Sequence, residues 1–412
     1  MKEALAGLCQ VLLILQLLVG GAAADPDNYV EAARGRALVT AGDCITCHTA
    51  IGGASFAGGF ALQTPFGAIM TPNITPDNIT GIGSWSADDF ARAMHEGRRP
   101  DGTHLYPAFP YPYYTKVTRA DLDAIYVYLR TLSPVTNNVN RSTLPFPFNI
   151  RLSMWGWNTI FFTAGAFVPD PKRSAEFNHG AYLVEGLGHC GACHTPFNAF
   201  GAARSDRYLE GNQIDNWTAP NITNDMDAGL GKWSVDDIAQ YLKTGQTGLS
   251  IASGPMKDVI ENSTSKMRDS DLRAMAVYLK ERRAGGAPPP APLSASDPRM
   301  RAGEAIYVDT CSACHTSNGG GIEHIFPKLA GTAIAQQDDP ASLARIVIAG
   351  GRAAATGERP TAPAMPALGF RLTDAQVAAV VTYVRNSWGN AASPVAEDAI
   401  KALRRRQTAA PN

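Results

Sequence analysis

Apolar side chains recur at helical spacing in six segments of the chain, and these segments form three pairs. In each pair the first segment is followed closely by a cysteine motif, and the second lies well downstream. In the later segments the apolar positions are three or four residues apart, as in Leu122, Ile125 and Leu129, which predicts a helix with one buried face. The pattern therefore predicts a mainly α protein with helices at 29–41 and 119–132, 177–187 and 269–282, and 299–310 and 373–386.

Two stretches interrupt the helical pattern and predict linkers. Residues 284–298 are rich in proline, with a run of three that starts at Pro288, and such a segment favours a semi-rigid spacer. Residues 135–174 are instead rich in Phe and Trp. Packing between domains explains these aromatics, and contact with a partner or a membrane surface is the alternative. We expect domains at 25–134, 175–283 and 299–390 and a C-terminal tail at 391–412.

The longest apolar run lies at the N-terminus, where Lys2 precedes the stretch 8–19 and small residues precede Asp25. A basic start, a short apolar run and an A-x-A site are the pattern of a cleavable secretory signal. A retained membrane anchor is the alternative, but the run is short for a span. We therefore predict that residues 1–24 are a signal peptide and that the mature protein is periplasmic.

The charge balance and the cysteines narrow the function. The chain has 36 Lys and Arg against 37 Asp and Glu, so its charge does not suggest binding to nucleic acid. Of its seven cysteines, Cys9 falls in the predicted signal peptide and the other six form three C-x-x-C pairs. No cysteine therefore remains for a separate disulfide bond.

A histidine directly follows each cysteine pair. The three motifs are Cys44 and Cys47 with His48, Cys190 and Cys193 with His194, and Cys311 and Cys314 with His315. C-x-x-C-H is the attachment signature of c-type haem, because two thiols one helical turn apart reach both vinyl groups of a porphyrin while the adjacent imidazole meets the iron. For a single motif, a thioredoxin-like thiol pair or half of a zinc site is the alternative. Three copies without further cysteines predict three covalently bound haems c.

Two of the three units share further sequence. The block Pro-Asn-Ile-Thr at 72–75 recurs at 220–223, and Trp-Ser-x-Asp-Asp at 85–89 recurs at 233–237. A repeat of this kind predicts units of the same fold. We expect three consecutive class I-like cytochrome c domains, of which the first two are a duplication and the third is shorter.

A haem that only transfers electrons usually has a second axial ligand, commonly methionine. Met256 and Met365 stand at matching places, each shortly before the last helix of its unit. Core packing is the alternative for each, but the matching placement favours binding to iron. The other ring nitrogen of the proximal histidine normally donates to a carbonyl, and we expect the carbonyls of Pro72, Pro220 and Pro327 to accept.

The first unit departs from this pattern. Alignment of the first two units places Phe109 where the second has Met256, and phenylalanine cannot bind iron. The same alignment puts Met94 on the inner face of its helix, so we hypothesise that Met94 is the sixth ligand of the first haem. The alternatives are a five-coordinate iron or ligation by His95, His104 or Met70. We assign no role to His179, His189 and His324.

With these residues in place, the chain resembles the tri-haem cytochrome c subunits of periplasmic, membrane-bound bacterial dehydrogenases for alcohol, gluconate, fructose and aldehyde. The matching blocks lie at 75–85, 104–108, 186–194 and 254–256. The resemblance implies an electron-transfer subunit without catalysis of its own. Such subunits accept electrons from a catalytic subunit that holds pyrroloquinoline quinone, flavin or molybdenum, and they pass them to ubiquinone or an oxidase.

The resemblance also bears on the partner and the location. Phe109 and the aromatic segment make the chain more similar to subunits that accompany molybdenum hydroxylase-type aldehyde or N-heterocycle dehydrogenases. Family members commonly lie on the outer face of the cytoplasmic membrane, where residues 397–406 would serve as a basic amphipathic end; a solvated tail is the alternative. The competing function is a haem enzyme or a gas-binding protein, which needs an open iron, and only the first domain offers one.

Overall fold

The computed structural model describes residues 26–140, 142–214, 216–283, 285 and 288–409. The predicted signal peptide at 1–24 lies outside the described residues. Within the described ranges the protein is mainly helical, and its strands form three separate two-stranded antiparallel sheets. The predicted mainly α class is confirmed.

The elements are numbered in their order along the chain. The α-helices of the described ranges are α1 Pro26–Ala41, α2 Cys44–Cys47, α3 Ala87–Glu96, α4 Tyr111–Tyr114, α5 Arg119–Arg130, α6 Ser153–Phe161, α7 Ala175–Tyr182, α8 Gly191–His194, α9 Val235–Thr244, α10 Pro255–Asn262, α11 Asp269–Lys280, α12 Pro298–Thr310, α13 Ser312–His315, α14 Ala333–Gln336, α15 Ala341–Ala349, α16 Asp374–Arg385 and α17 Glu397–Ala409. A π-helical turn at Leu183–Leu187 continues α7. The strands pair as β1 Ala61–Thr64 with β2 Gly67–Met70, β3 Asn212–Ile214 with β4 Trp217–Ala219, and β5 Gly351–Arg352 with β6 Ala364–Met365.

The six predicted helices are present as α1, α5, α7, α11, α12 and α16. Local capping explains where several of them begin. The Thr118 hydroxyl accepts a hydrogen bond from the backbone N–H of Asp121, and Thr373 forms a capping box with Gln376; both satisfy amide groups that have no partner within the helix. Pro298 occupies the first position of α12, where its missing N–H has no cost.

Each predicted pair of helices crosses at a glycine, so that α1 packs on α5, α7 on α11 and α12 on α16. A Cβ added to the glycine would meet the facing carbonyl oxygen at 1.9 Å for Gly35 and Ala124, 1.9 Å for Gly180 and Ala274, and 2.3 Å for Gly303 and Ala379. Only glycine allows backbones to approach so closely. The apolar pattern predicted the helices but did not reveal these glycines.

A buried apolar cluster surrounds each of the three crossings, and we call these the first, second and third clusters in chain order. The third cluster extends into the C-terminal helix. Ile400 and Leu403 of α17 are buried there together with Val381 of α16. The Arg404 Nε lies 2.7 Å from Asp374 Oδ1 and adds an ion pair between the two helices. Residues 397–409 are therefore packed on the body of the protein and are not a solvated tail.

The aromatic segment forms α6, and only one side of this helix packs on the protein. Trp157 Nε1 donates a 2.9 Å hydrogen bond to the carbonyl of Phe200, and the ring of Phe161 stacks on that of Phe200. Trp155 and Ile160 are largely exposed. Packing within the chain thus explains part of the aromatic content. No helix of the described ranges is both long and apolar enough to span a membrane.

Candidate functional site

The three cysteine motifs form the short helices α2, α8 and α13, each placed just after the first helix of a crossing pair. Cys44 and Cys47 are the ends of α2, whereas α8 and α13 close on His194 and His315. All six cysteines in the described ranges are free thiols. The fold thus presents two thiols and an imidazole within about one helical turn at three places.

The imidazole of each motif makes the same hydrogen bond. The Nδ1 atom lies 2.7 Å from Pro72 O in His48, 2.7 Å from Pro220 O in His194 and 2.9 Å from Pro327 O in His315. A carbonyl oxygen only accepts, so Nδ1 carries the proton and Nε2 keeps a free lone pair. Burial lowers the pKa of all three imidazoles, which keeps them neutral. The expectation about the three proline carbonyls is confirmed.

A glycine lies close to each of these prolines. The backbone N–H of Gly58, Gly211 and Gly321 donates to the carbonyl of His48, His194 and His315 respectively. All three glycines have positive φ, and a Cβ on Gly58 would lie 2.4 Å from the carbonyl carbon of Pro72. Glycine is therefore required for both the backbone angle and the close approach. The three glycines follow their histidines at different spacings, so a search for sequence repeats does not find them.

The first thiol of each motif differs from that of a redox-active pair. Burial raises the pKa of Cys44 and Cys190 to about 12 and that of Cys311 to about 11. A thioredoxin-like pair needs a lowered thiol pKa. Protonated thiols beside an imidazole with a free Nε2 are the groups that haem c requires. Across the described ranges, no group of three His, Cys, Asp or Glu side chains converges to hold a bare metal ion.

Met256 and Met365 each pack against the edge of the apolar cluster of their own unit. Met256 follows Pro255 at the start of α10 and packs against the second cluster. Met365 lies in β6, opposite Gly351, and packs against the third cluster. Both are partly buried. Their role as iron ligands stays a prediction.

Met94 points into the first cluster from α3. It is 5% exposed and shares that cluster with Phe90, while Cys44 and Phe109 pack against it. The alternative histidine ligands have other partners: His95 Nε2 lies 2.8 Å from Val117 O, and His104 Nδ1 lies 3.0 Å from the side-chain nitrogen of Asn158. Met70 lies in β2, paired with Ala61.

Two of the three motifs lie close together. Burial, with Asp43 and Cys193 nearby, raises the pKa of Cys47 to about 12. Asp43 also contributes to the raised pKa of Cys193, so its carboxyl is close to both motifs. The closeness of the first two motifs is not visible in the sequence, because they are far apart along the chain.

The histidines without an assigned role have local partners. His179 Nε2 lies 2.8 Å from Asp271 Oδ1, and His324 faces Glu323 and Arg359. His189 directly precedes Cys190, has a positive φ of 37° and contacts Gly42. The side chains of the first two thus make polar contacts with nearby charged groups.

Comparison with known proteins agrees with this geometry. The sequence model of the Cytochrome c family matches residues 32–133 and 300–388. The chain is 40% identical over 418 residues to the gluconate 2-dehydrogenase cytochrome c subunit of Pantoea cypripedii, covering 96% of this chain and 95% of that one. It is 37% identical over 421 residues to the cytochrome c subunit of alcohol dehydrogenase (quinone) of Gluconacetobacter polyoxogenes, covering 96% and 88%. A nicotinate dehydrogenase subunit of Pseudomonas putida is 40% identical over 380 residues, which are 88% of this chain and 31% of that protein.

These relatives are named as subunits of dehydrogenases, and two of them as cytochrome c subunits along nearly their whole length. A cytochrome c subunit transfers electrons and leaves the oxidation of substrate to another subunit. The chain therefore belongs to the family of cytochrome c subunits of bacterial dehydrogenase complexes, and it is an electron-transfer subunit that binds haem c.

Proposed function

We propose that the chain carries three haems c and relays electrons from a dehydrogenase catalytic subunit to ubiquinone or a terminal oxidase. The count is supported by one arrangement that occurs three times: free thiols and a neutral histidine whose Nδ1 is held by a proline carbonyl. Haem 1 is attached to Cys44 and Cys47 with His48 as proximal ligand, haem 2 to Cys190 and Cys193 with His194, and haem 3 to Cys311 and Cys314 with His315.

Each haem is assigned to its own class I-like cytochrome c domain, at 25–134, 175–283 and 299–390, with linkers at 135–174 and 284–298. Matching hydrogen bonds support a duplication of the first two. Asn73 Oδ1 accepts from the N–H of Thr75 at 2.9 Å, as Asn221 Oδ1 does from Thr223 at 2.8 Å. The same capping box, from Ser to Asp, starts α3 and α9.

When bound, haem supplies an iron that alternates between the ferric and ferrous states. The residues of the chain hold and orient it. The bond from Nδ1 to the proline carbonyl fixes the ring of each histidine and directs the unprotonated Nε2 away from that carbonyl. A glycine of positive φ lies close to each of these prolines. No side chain needs to gain or lose a proton during transfer.

Met256 and Met365 are the proposed distal ligands of haems 2 and 3, and Met94 that of haem 1. The burial of Met94 in the cluster against which Cys44 packs supports this assignment. A thioether favours the ferrous state and raises the potential. A five-coordinate haem 1 is the alternative, and it would give the chain the open iron of a haem enzyme or a gas-binding protein.

Substitution of Met94 by leucine tests the ligand of haem 1. Leucine keeps the volume and removes the sulfur, so the fold should tolerate the change at a cost below about 1.5 kcal/mol. We expect the sulfur-to-iron absorption band of the oxidised protein to fall by about a third, because two methionine-ligated haems remain. Met275→Leu, at a buried methionine of the second cluster, is the matched control and should keep the full band. A full band in Met94→Leu would contradict the assignment.

The partner is a dehydrogenase catalytic subunit, and we propose that it is of the molybdenum hydroxylase type. The support is the relative named as a subunit of nicotinate dehydrogenase, since nicotinate is an N-heterocycle. Partners that contain pyrroloquinoline quinone or flavin are the alternative, in line with the relatives named for alcohol and gluconate. Molybdenum analysis of the complex purified with this chain distinguishes them.

The mature chain is proposed to lie in the periplasm, on the outer face of the cytoplasmic membrane. The exposed side of α6 and its flanks supports contact with a membrane surface. Large apolar side chains are exposed there, at Phe146, Leu152, Trp155, Ile160 and Val168, and Arg151 is the only charged residue between 142 and 169. Such a surface favours the boundary between head groups and acyl chains. The predicted signal peptide supplies export.

Anaerobic reduction of the haem-loaded chain tests the proposed relay. The chain is purified with the dehydrogenase that accompanies it, substrate is added, and the haem absorption bands are recorded. We expect all three haems to become reduced, and a soluble ubiquinone analogue to oxidise them again. Without the dehydrogenase the same substrate should reduce none. Stoichiometric carbon monoxide binding with peroxide turnover by the chain alone would instead support a haem enzyme.

A further inference from the structure

The segments that precede the first two motifs are packed on each other. The Nε2 atom of His189 lies 3.3 Å from the carbonyl oxygen of Gly42. A Cβ on Gly42 would be 3.1 Å from Leu187 Cδ1, and Leu187 is fully buried in the cluster of the first helix crossing. Since Gly42 is two residues before Cys44 and His189 is one before Cys190, this contact joins the two attachment segments.

Further contacts hold the first segment in place. The side-chain nitrogen of Asn262 donates to the Thr46 hydroxyl at 2.9 Å, and the Ser263 hydroxyl donates to the carbonyl of Ala41 at 3.3 Å. The segment from Ala41 to Thr46 is therefore held both by His189, beside the second motif, and by the end of α10. This is a built interface, with polar groups paired across it.

Tyr114 adds an aromatic contact at the same place. Its ring is 5% exposed and meets the imidazole of His189 edge-on, with 5.5 Å between the ring centroids. The preceding residue, Tyr113, lies against the second motif, because a Cβ on Gly191 would be 2.8 Å from Tyr113 Cε1. Consecutive tyrosines of α4 thus fill the space between the two motifs.

His189 is well suited to hold this contact. A carbonyl oxygen can only accept, so Nε2 is the protonated nitrogen and donates to Gly42 O. Its backbone has a positive φ of 37°, which is uncommon for a residue other than glycine. An uncommon backbone conformation beside a cofactor motif is a mark of a functional constraint.

We propose that this contact is the route of electron exchange between haem 1 and haem 2, and that His189 is its positioning residue. The inference rests on the proposed three-haem function. Cys44 and Cys190, which would each attach one haem, lie two residues and one residue from this contact. A continuous path then runs from Cys44 along the backbone to Gly42 O, through the hydrogen bond to His189, and on to Cys190. Transfer of one electron along this path would oxidise one haem and reduce the other, with no bond or proton changing place.

Substitutions of His189 test the route in the complete three-haem protein. His189→Leu removes the N–H donor, whereas His189→Gln retains an amide N–H at about the position of Nε2. Photoexcited tris(bipyridine)ruthenium injects one electron into the oxidised protein, and the haem bands report how it redistributes. We expect one redistribution phase to slow several-fold in His189→Leu and to stay near the wild-type rate in His189→Gln. The midpoint potentials of the haems should be unchanged in both, so that the driving force is the same.

The possible results distinguish failure of the proposed electron route from failure of the proposed three-haem function. Wild-type rates in His189→Leu, with three haems attached and reducible, would overturn the proposed route and leave the relay intact. Fewer than three haems in the wild-type protein would overturn the three-haem function and the route with it. Should His189→Leu fail to mature, Tyr114→Leu removes the ring packed on His189 and tests the same contact. It should slow the phase relative to its control Tyr114→Phe, and equal rates in that pair would also overturn the route.

Discussion

A variant in which both Cys190 and Cys193 are replaced by alanine should carry two covalent haems in place of three. Two thioether bonds per haem keep the cofactor attached after unfolding, and the axial histidine alone does not. The pyridine haemochrome of the denatured protein gives the ratio of haem to chain, and intact mass gives the loss of one haem. We expect electron transfer from the dehydrogenase to the quinone or oxidase to fall to a small fraction of the wild-type rate, because the second unit contacts both the first, at His189 and Gly42, and the third, at Thr218 and Ser342.

A cysteine outside the motifs provides the control for this variant. Cys9 lies in the predicted signal peptide, so Cys9→Ser should leave both the haem ratio and the mass of the mature chain unchanged. Three haems per chain in the Cys190 and Cys193 double variant would show that these thiols are not attachment sites. A changed mature mass in Cys9→Ser would contradict cleavage before Asp25.

Gly180→Ala should be the most destabilising single methyl that can be added to the second helix crossing. The new Cβ would lie 1.9 Å from the carbonyl oxygen of Ala274 and 3.0 Å from the Cβ of Tyr278, so α7 and α11 must move apart. Overpacking of a well-filled core costs about 1–3 kcal/mol, occasionally more, and we expect the upper end because the obstacle is backbone. The midpoint of urea unfolding, followed by circular dichroism on the haem-loaded protein, measures the loss.

The matched control is a glycine of an exposed helix. Gly156 lies within α6, and a Cβ there would meet nothing within 4 Å. Gly156→Ala should leave the unfolding midpoint unchanged or raise it, since alanine favours helix over glycine by about 1 kcal/mol. Equal midpoints for Gly180→Ala and Gly156→Ala would refute the requirement for close approach at the crossing.

The structure also shows local partners for the alternative histidine ligands of the first unit. His95 and His104 fit the spacing of a ligand, but each makes a hydrogen bond to another group. Whether a histidine on a helix faces a cofactor or a neighbouring carbonyl depends on how that helix is rotated. That rotation is set by packing against distant residues such as Val117, which periodicity within α3 does not encode.

The C-terminal helix shows the same limit. Its arginine-rich end suggested either a membrane-binding segment or a solvated tail. Ile400 and Leu403 are nevertheless buried against α16, because they stand at helical spacing on the side of α17 that faces the cluster. The three consecutive arginines dominate the composition of this segment. Its packing is nevertheless determined by two apolar residues on one helical face.

The sequence by itself determined the elements whose signals are local. Six helices follow from apolar spacing, and the motifs follow from three cysteine pairs with adjacent histidines, because each signal lies within a few residues. The proline carbonyls were also predicted, although they follow their histidines by 24, 26 and 12 residues.

Only the tertiary structure decided the features that join distant parts of the chain. These are the glycines at the crossings, the glycines under the proline carbonyls, and the contact of His189 with Gly42. These features have one physical cause in common. Each depends on how closely two backbones approach, and the distance between backbones is set by the packing of whole helices and is not encoded in any short stretch of sequence.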